Sequence, residues 1–286
     1  EGESMDILAP YREKWREVPG GDDASARYFT TDLLAMQNDK FLALWEEHAA
    51  KRVTGSLSWV GPAYRDFFTG RRVLELGSGL GLDGLRFAGQ GAIWTFADIA
   101  ADNLKVIERV ASLKGLRIKT FLIGNDLSFD ALGGQFDAIL ASGSMHHVPF
   151  DMARQECSSA LRRLKPGGRW IELAYPKERW IREGCQPFDQ WGKGTDGDRT
   201  PWAEWYDAAK LRARLAPATF TTILDFGFFD DNFRWFDLLY APELAKPSPQ
   251  LHNPSFFQRL RAAWNATSDL PYIERLEGIR KSGSGD

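Results

Sequence analysis

The feature that most constrains the fold is an alternation of short apolar strand patterns with helical patterns between residues 71 and 175. The strand patterns cover residues 71–76, 92–98, 117–124, 136–142 and 167–175, and the clearest helical patterns cover 101–113 and 151–164. Strands separated by helices form βαβ units, in which the strands are parallel and share one sheet. The sequence therefore predicts an α/β fold with a mostly parallel sheet.

Segments on both sides of this alternation complete the predicted domain. Residues 31–52 have apolar side chains at helical spacing, so we predict a helical N-terminal cap or lid over residues 1–62. Two further strand patterns, at 218–226 and 232–240, extend the predicted core to residues 63–240.

The segment after the fifth strand breaks the alternation. Residues 176–215 are rich in tryptophan, glycine and charged residues, and we predict that they form an insertion on the substrate side. Thr200 and Pro201 are residue types that begin helices, so a helix is expected from there to Leu215. Residues 241–286 are interrupted by prolines and form a C-terminal extension, with one helix predicted near 255–265.

The composition is that of an ordinary globular protein, and it excludes several classes. Of the 286 residues, 43% are hydrophobic and 26% are charged, and a net charge of -3 gives no long-range attraction for nucleic acid. No apolar run is long enough to span a membrane. Cys157 and Cys185 stand far apart and there are only 4 histidines, so neither a disulfide framework nor a metal site is expected. We expect a cytoplasmic monomer or homodimer without a metal, nucleic-acid or membrane partner.

A glycine-rich loop joins the first strand to the following helix. Gly77 follows the strand directly, and Ser78 and Gly79 come next. Glycine permits positive φ and lets a ligand approach the backbone closely, and the free amides of the following helix favour an anionic group. Gly81 and Gly84 extend the pattern to GxGxxG, which also occurs in dinucleotide-binding enzymes, so a nicotinamide cofactor is an alternative.

Polar residues follow the ends of the next strands. Asp98 ends the second strand and is followed by Ile99, and its carboxylate can accept hydrogen bonds from the ribose hydroxyls of an adenosyl ligand. Asn125 and Asp126 follow the third strand, and Ser142 ends the fourth. The carboxyl ends of parallel strands meet at one edge of the sheet, where ligands bind. The sequence therefore predicts a cofactor site at this edge.

Taken together, these motifs resemble those of the class I S-adenosylmethionine-dependent methyltransferases. The resemblance covers roughly residues 70–175 and rests on ELGSGLG, the acid Asp98, the Asn125–Asp126 pair, FDAILAS and LKPGGRWIEL, which stand in the family's order and spacing. It implies a Rossmann-like sheet of seven strands with an antiparallel last strand. It also implies S-adenosylmethionine as the cofactor and S-adenosylhomocysteine as the product formed from it.

The resemblance assigns cofactor contacts residue by residue. In the family, the acid after the second strand holds the ribose, here Asp98, and the residues after the third strand, here Asn125 and Asp126, contact the adenine. In the family, the glycine loop lies against the methionine part of the cofactor, and the acid at the end of the first strand, here Glu75, orients that loop. A purely structural role for Glu75 or Ser142 is the alternative. The predicted cofactor residues are Glu75, Gly77, Ser78, Gly79, Asp98, Ile99, Asn125, Asp126 and Ser142.

Two adjacent histidines follow the fourth strand, at the edge where methyl acceptors usually enter in this family. Methyl transfer from a sulfonium requires alignment of the nucleophile with the methyl group, and it requires a base only if the nucleophile arrives protonated. A neutral imidazole of His146 or His147 can accept a hydroxyl proton. Adjacent side chains diverge, so at most one should face the cofactor. A histidine that only packs or caps the following helix is the alternative.

Aromatic residues outside the common core are the predicted acceptor-binding residues. Tyr28 belongs to the cap, and Trp191, Trp202 and Trp205 belong to the insertion, where carboxylates lie between the tryptophans. Aromatic walls with carboxylates suit a cationic amine through cation–π contacts, and they suit a sugar ring by stacking. Tryptophans that only close the core of the insertion are the alternative.

These expectations lead to a prediction of function. We predict a biosynthetic methyltransferase that acts on an oxygen or nitrogen atom of a small molecule, such as a sugar, an amine or amino-acid derivative, or a specialised metabolite. The alternatives are an NAD(P)-dependent oxidoreductase and a non-catalytic protein that binds the same cofactor.

Overall fold

The computed structural model describes residues 6–18 and 28–241. Seven strands form one sheet: β1 (Arg72–Leu76), β2 (Ile93–Asp98), β3 (Lys119–Leu122), β4 (Phe136–Ser142), β5 (Leu164–Ala174), β6 (Phe220–Phe228) and β7 (Phe233–Tyr240). The described helices are α1 (Ala9–Trp15), α2 (Thr30–Ala35), α3 (Asn38–Thr54), α4 (Val60–Phe68), α5 (Leu82–Gly89), α6 (Ala101–Leu113), α7 (Phe150–Leu161), α8 (Lys177–Arg182), α9 (Phe188–Asp196) and α10 (Ala208–Leu215), and a 3-10 turn covers Met145–His147.

The strand order is β3-β2-β1-β4-β5-β7-β6. Strands β1 to β5 pair in parallel, whereas β7 is antiparallel to both β5 and β6. β7, the last strand of the described chain, therefore lies between β5 and β6 and runs antiparallel to both. This confirms the predicted Rossmann-like sheet of seven strands. The order reverses between β1 and β4, which is the point where open α/β sheets bind ligands.

Apolar packing on both faces fixes the central strands. Along β1, Val73 packs into the apolar cluster on one face, and Leu74 and Leu76 pack into the cluster on the other. The register places Leu76 opposite Ala97 of β2. The loops that follow β1 and β2 therefore leave the sheet at the same level, which brings their polar residues together.

The N-terminal cap packs into the same apolar cluster as one face of the sheet. Its helices differ from the predicted ones. Val60–Phe68 forms one helix, so the boundary predicted after residue 62 falls inside α4. The single helix predicted over residues 31–52 is wrong, because the chain is extended at Met36 between α2 and α3. Arg109 of α6 donates to the carbonyl oxygens of Leu34 (3.0 Å) and Met36 (2.6 Å) and so satisfies the end of α2.

The insertion contains α8, α9 and α10 in place of the single helix predicted there. The prediction that Thr200 and Pro201 begin a helix is wrong, because the chain after them returns to the sheet, where the Tyr206 N–H donates to the Tyr175 carbonyl at 2.8 Å. α10 begins after Asp207, whose carboxylate accepts from the N–H of Lys210 at 2.8 Å. Pairing with the end of β5 therefore delays the helix by several residues.

The C-terminal extension predicted for residues 241–286 lies outside the described residues, apart from residue 241, and so does the helix predicted near 255–265. Within the part of the chain that the structure describes, none of the helices combines the length and the apolar character that crossing a membrane requires.

Candidate active site

A cavity of about 260 Å³ opens at the carboxyl edge of the sheet, where β1, β2 and β4 end. Most of the predicted cofactor residues lie on its walls, and two do not. The predicted residues that line it are Glu75, Gly77, Ser78, Gly79, Asp98, Ile99 and Ser142. The strand ends therefore form one site, as the parallel sheet predicts.

The glycine loop needs its glycines for two different reasons. Gly77 and Gly79 have φ angles of +68° and +53°, a region that favours glycine. A Cβ on Gly77 would lie 2.3 Å from the Cβ of Ser144, so the protein itself leaves no room there. A Cβ on Gly79 would meet no atom within 4 Å, and Gly79 lines the cavity. The backbone at Gly79 is therefore open to a ligand.

Asp98 is a buried carboxylate that the loop itself helps to hold. It is 3% exposed and accepts hydrogen bonds from the N–H of Gly79 (3.0 Å), the N–H of Ala100 (2.8 Å) and the amide of Asn103 (3.2 Å). Burial raises the pKa of Asp98 and these hydrogen bonds oppose the rise. The backbone at Ile99 also hydrogen-bonds to this carboxylate, and Asp98 lines the cavity.

Glu75 and Arg52 both line the cavity. Glu75 accepts a hydrogen bond from the indole of Trp94 at 2.7 Å, and burial raises its pKa to about 8. Arg52 of α3 donates to the Ser142 hydroxyl at 3.1 Å and to the Asp83 carboxylate at 2.8 Å. Arg52 was not among the predicted site residues, because the local pattern of α3 does not show where the helix crosses the sheet.

Asn125 and Asp126, in the loop that follows β3, are not part of the cavity lining. Asn125 accepts a hydrogen bond from Arg12 of α1 at 3.2 Å, and Asp126 is exposed. Arg12 also donates to the carbonyl oxygen of Ile99 at 3.0 Å, and the preceding Ile123 lines the cavity. α1 therefore lies over the end of β3, and the adenine contacts expected of Asn125 and Asp126 stay a prediction.

The two adjacent histidines have different surroundings. His146 does not line the cavity: it is 1% exposed, its ring centroid lies 4.0 Å from that of Tyr175, and neither ring nitrogen has a hydrogen-bond partner among the described residues. Burial lowers the pKa of His146 well below its ordinary value. The packing alternative describes His146, and His147 is the histidine that faces the cavity.

One ring nitrogen of His147 is hydrogen-bonded to a backbone carbonyl oxygen, and the other lies near a carboxylate. Nδ1 lies 3.1 Å from the carbonyl oxygen of Trp202, which can only accept, so the neutral ring is assigned its proton on Nδ1. Nε2 then has a free lone pair 3.8 Å from Oδ2 of Asp196. Burial lowers the pKa of His147 below 6.5, although the Asp196 charge opposes this. The ring is therefore neutral at neutral pH and has a lone pair on Nε2.

The tryptophans predicted to bind the acceptor do not line the cavity. Trp191 is 1% exposed, and its indole N–H donates to Glu183 at 2.6 Å. Trp202 and Trp205 are half-buried and pack against other aromatic rings of the insertion. The geometry therefore agrees with the alternative in which these rings form the core of the insertion.

The N-terminal segment provides the aromatic wall instead. Tyr28, the predicted acceptor residue of the cap, lies away from the cavity lining, with its hydroxyl 2.5 Å from Nε2 of His48. Trp15 and Glu17 line the cavity, and the rings of Trp15 and His147 have centroids 4.4 Å apart. Only the full fold reveals this contact, since these residues are far apart in the sequence.

Glu156 of α7 also lines the cavity, although it was not among the predicted site residues. It is 6% exposed and lies on the buried face of the helix with Ala153, Cys157 and Ala160. A carboxyl group on an otherwise apolar helix face is unusual, so the sequence did offer a signal for this residue.

Comparisons with known proteins agree with this geometry. Residues 73–168 match a family model described as a methyltransferase domain. A ubiquinone biosynthesis O-methyltransferase of Xylella fastidiosa is 30% identical over 155 residues, which are 52% of this chain and 60% of that protein. The chain therefore spans less than two thirds of the length of the curated relatives that it matches.

Solved structures share the fold at low sequence identity. A S-adenosylmethionine-dependent methyltransferase from Clostridium acetobutylicum has a TM-score of 0.52 at 12% identity, covering 71% of this chain and 99% of that one. A protein from Pyrococcus horikoshii has a TM-score of 0.52 at 14% identity, covering 68% and 91%. Residues 73–168 therefore belong to a methyltransferase domain, and the sheet order and the glycine loop around them agree with the fold of the class I S-adenosylmethionine-dependent methyltransferases.

Proposed function

We propose that the protein transfers the methyl group of S-adenosylmethionine to a hydroxyl oxygen of a small molecule, and that His147 accepts the hydroxyl proton. The observation that carries this proposal is the position of His147, which lines the same cavity as the glycine loop and Asp98. The similarity to proteins named ubiquinone biosynthesis O-methyltransferases supports oxygen over nitrogen as the accepting atom.

The cavity lining fits the proposed cofactor. Asp98 would accept from the ribose, and the open backbone at Gly79 leaves space for the methionine part. The guanidinium of Arg52 would pair with the cofactor's carboxylate, and Glu75 would lie near its ammonium. When bound, this cofactor supplies a methyl group on a positively charged sulfur. The protein must align the acceptor with that group and exclude water.

His147 has the properties of a general base in this reaction. Its neutral ring has a lone pair on Nε2, and the Asp196 carboxylate 3.8 Å away would stabilise the ring after it has taken up a proton. Tyr175 donates to the Asp196 carboxylate at 3.0 Å and holds it in place. Lys14 of α1 also donates to the backbone carbonyl of Asp196 at 2.7 Å. The N-terminal segment and the insertion therefore meet beside this base.

The decisive experiment is to measure methyl transfer to a panel of phenols, sugars and amines, with the methylated product detected by mass spectrometry. For a hydroxyl acceptor, we expect His147→Gln to lower kcat by about 10²–10⁴-fold, the usual contribution of a general base, with S-adenosylhomocysteine affinity retained. The rate of the unmodified protein should fall as the pH drops through the pKa of His147, which burial holds below 6.5.

His146→Gln is the matched control, because this neighbouring histidine packs in the core and does not line the cavity. We expect it to lower stability and to leave kcat of the folded protein nearly unchanged. Equal kcat values for His147→Gln and the unmodified protein would contradict the role of His147. Transfer to amines alone would contradict oxygen as the acceptor, and cofactor binding without transfer to any acceptor would favour the non-catalytic alternative.

A further inference from the structure

Lys14 is a buried lysine at the junction between α1 and the insertion. Its side chain is 3% exposed, and its ammonium group donates to the Glu17 carboxylate at 2.6 Å and to the backbone carbonyl of Asp196 at 2.7 Å. Lysine is rarely buried unless its charge is paired, because taking the charge out of water costs free energy. Glu17 lines the cavity and Asp196 lies next to His147, so this buried charge joins two elements at the candidate active site.

The hydrogen bond from Lys14 satisfies the end of a helix. Asp196 is the last residue of α9, and the carbonyl oxygens in the last turn of a helix have no partner within the helix. The helix dipole also favours a cation at this end. Lys14 therefore fixes the carboxyl end of α9 from outside the insertion, at the residue whose side chain approaches His147.

α1 is anchored to the edge of the sheet by hydrogen bonds that do not involve Lys14. Arg12 donates to the carbonyl oxygen of Ile99 at 3.0 Å, and the side-chain amide of Asn103 donates to the carbonyl oxygen of Trp15 at 2.9 Å. The 3-10 turn that carries the proposed base follows β4 at the same edge. Because α1 is fixed relative to the sheet, Lys14 fixes the end of α9 relative to that turn.

Resting on the proposed function, we propose that Lys14 is a positioning residue for the base, because it holds Asp196 where the carboxylate stays beside Nε2 of His147. That carboxylate lies 3.8 Å from Nε2 and stabilises the ring once the ring has taken up the proton of the acceptor. The attraction between opposite charges falls with distance and with entry of water, so a displaced Asp196 would stabilise the protonated ring less. Tyr175 orients the carboxylate through its hydroxyl group at 3.0 Å, whereas Lys14 holds the backbone that carries it.

Lys14→Met removes the ammonium group and keeps a long side chain. We expect kcat for a hydroxyl acceptor to fall by about 10–100-fold, because a misplacement of about 1 Å in an active site can cost that much. Affinity for S-adenosylhomocysteine, measured by calorimetry, should be retained, since Lys14 does not line the cavity. Lys14→Arg keeps a cation with several donors and should retain most of the kcat.

A double-mutant cycle with Asp196→Asn separates positioning of the base from a merely structural role. Asp196→Asn removes the charge beside His147 and should itself lower kcat. If Lys14 acts through that charge, adding Lys14→Met to Asp196→Asn should lower kcat by less than about twofold further. Loss of the same factor of kcat in both backgrounds would overturn the inference.

Hydrogen exchange provides a second readout, which does not depend on activity. The N–H of Gly197 donates to the carbonyl oxygen of Lys193 at 3.1 Å, and the N–H of Thr200 donates to that of Gly197 at 2.8 Å. If Lys14 holds the end of α9, backbone amides in residues 193–200 should exchange faster in Lys14→Met than in the unmodified protein. Unchanged exchange there would contradict the inference.

Lys105→Met is the matched control. Lys105 also pairs with a carboxylate at i,i+3 spacing, that of Asp102 at 3.2 Å, but it is exposed on α6. We expect it to change neither kcat nor the exchange of residues 193–200. If Lys14→Met leaves kcat unchanged while His147→Gln lowers it, this inference is overturned and the proposed function stands. If the unmodified protein transfers methyl groups to no hydroxyl acceptor, both are overturned.

Discussion

The carboxyl edge of the sheet and the insertion contain the same residue types but use them differently. At the sheet edge, the carboxyl groups of Glu75 and Asp98 line a cavity that is open to a ligand. In the insertion, Trp191 and Glu183 form a hydrogen bond with each other at 2.6 Å. Residue type alone therefore does not define a binding site. Parallel strands direct their ends into one place, whereas a small helical unit first satisfies its own aromatic and polar groups.

The insertion still reaches the site at one point. Asp196, the last residue of α9, lies 3.8 Å from His147, and Lys14 donates to its backbone carbonyl at 2.7 Å. The insertion thus contributes a carboxylate beside the proposed base. Its composition had suggested that it would contribute aromatic side chains to the acceptor site.

Trp191→Ala should have the largest effect, and it tests the structural half of the comparison. Because the indole is buried and hydrogen-bonded, we expect the free energy of unfolding in urea to fall by about 3–5 kcal/mol. Affinity of the folded variant for S-adenosylhomocysteine should change by less than about twofold, since Trp191 does not line the cavity. Normal stability together with impaired methyl transfer would instead place Trp191 in the acceptor site and break the comparison.

Gly79→Val tests the ligand-binding half of the comparison. We expect it to weaken S-adenosylhomocysteine binding by about 100-fold or more, roughly 2.7 kcal/mol, because the side chain would enter the space for the ligand. Gly115→Val is the matched control, since Gly115 also has a positive φ, +66°, and open space around it, but does not line the cavity. Both variants carry similar backbone strain, so equal affinities measured by calorimetry would remove the glycine loop from the site.

Much of the fold could be predicted because it follows from local sequence patterns. The strand and helix alternation gives the parallel sheet, and the sheet brings Gly79 and Asp98 together without any knowledge of their side-chain contacts. The same logic does not extend to Asn125 and Asp126, because α1 lies over the end of β3 and Arg12 binds Asn125. A segment that crosses a strand end changes which residues reach the cavity.

The rest of the site depends on contacts between elements that are distant in sequence. Arg52 reaches the cavity only because of the way α3 crosses the sheet. The break between α2 and α3 likewise depends on Arg109 of a helix much later in the chain. Glu156 is different, since a carboxyl group on the buried face of α7 is visible in the helical pattern itself.

The central claim is that the cavity at the ends of β1, β2 and β4 binds an adenosyl sulfur cofactor. The most direct test is calorimetric titration of the protein with S-adenosylmethionine, S-adenosylhomocysteine and NAD in parallel. We expect roughly micromolar binding of both sulfur compounds, corresponding to about 8 kcal/mol, and no binding of NAD. Binding of NAD alone would contradict it and would favour the oxidoreductase alternative.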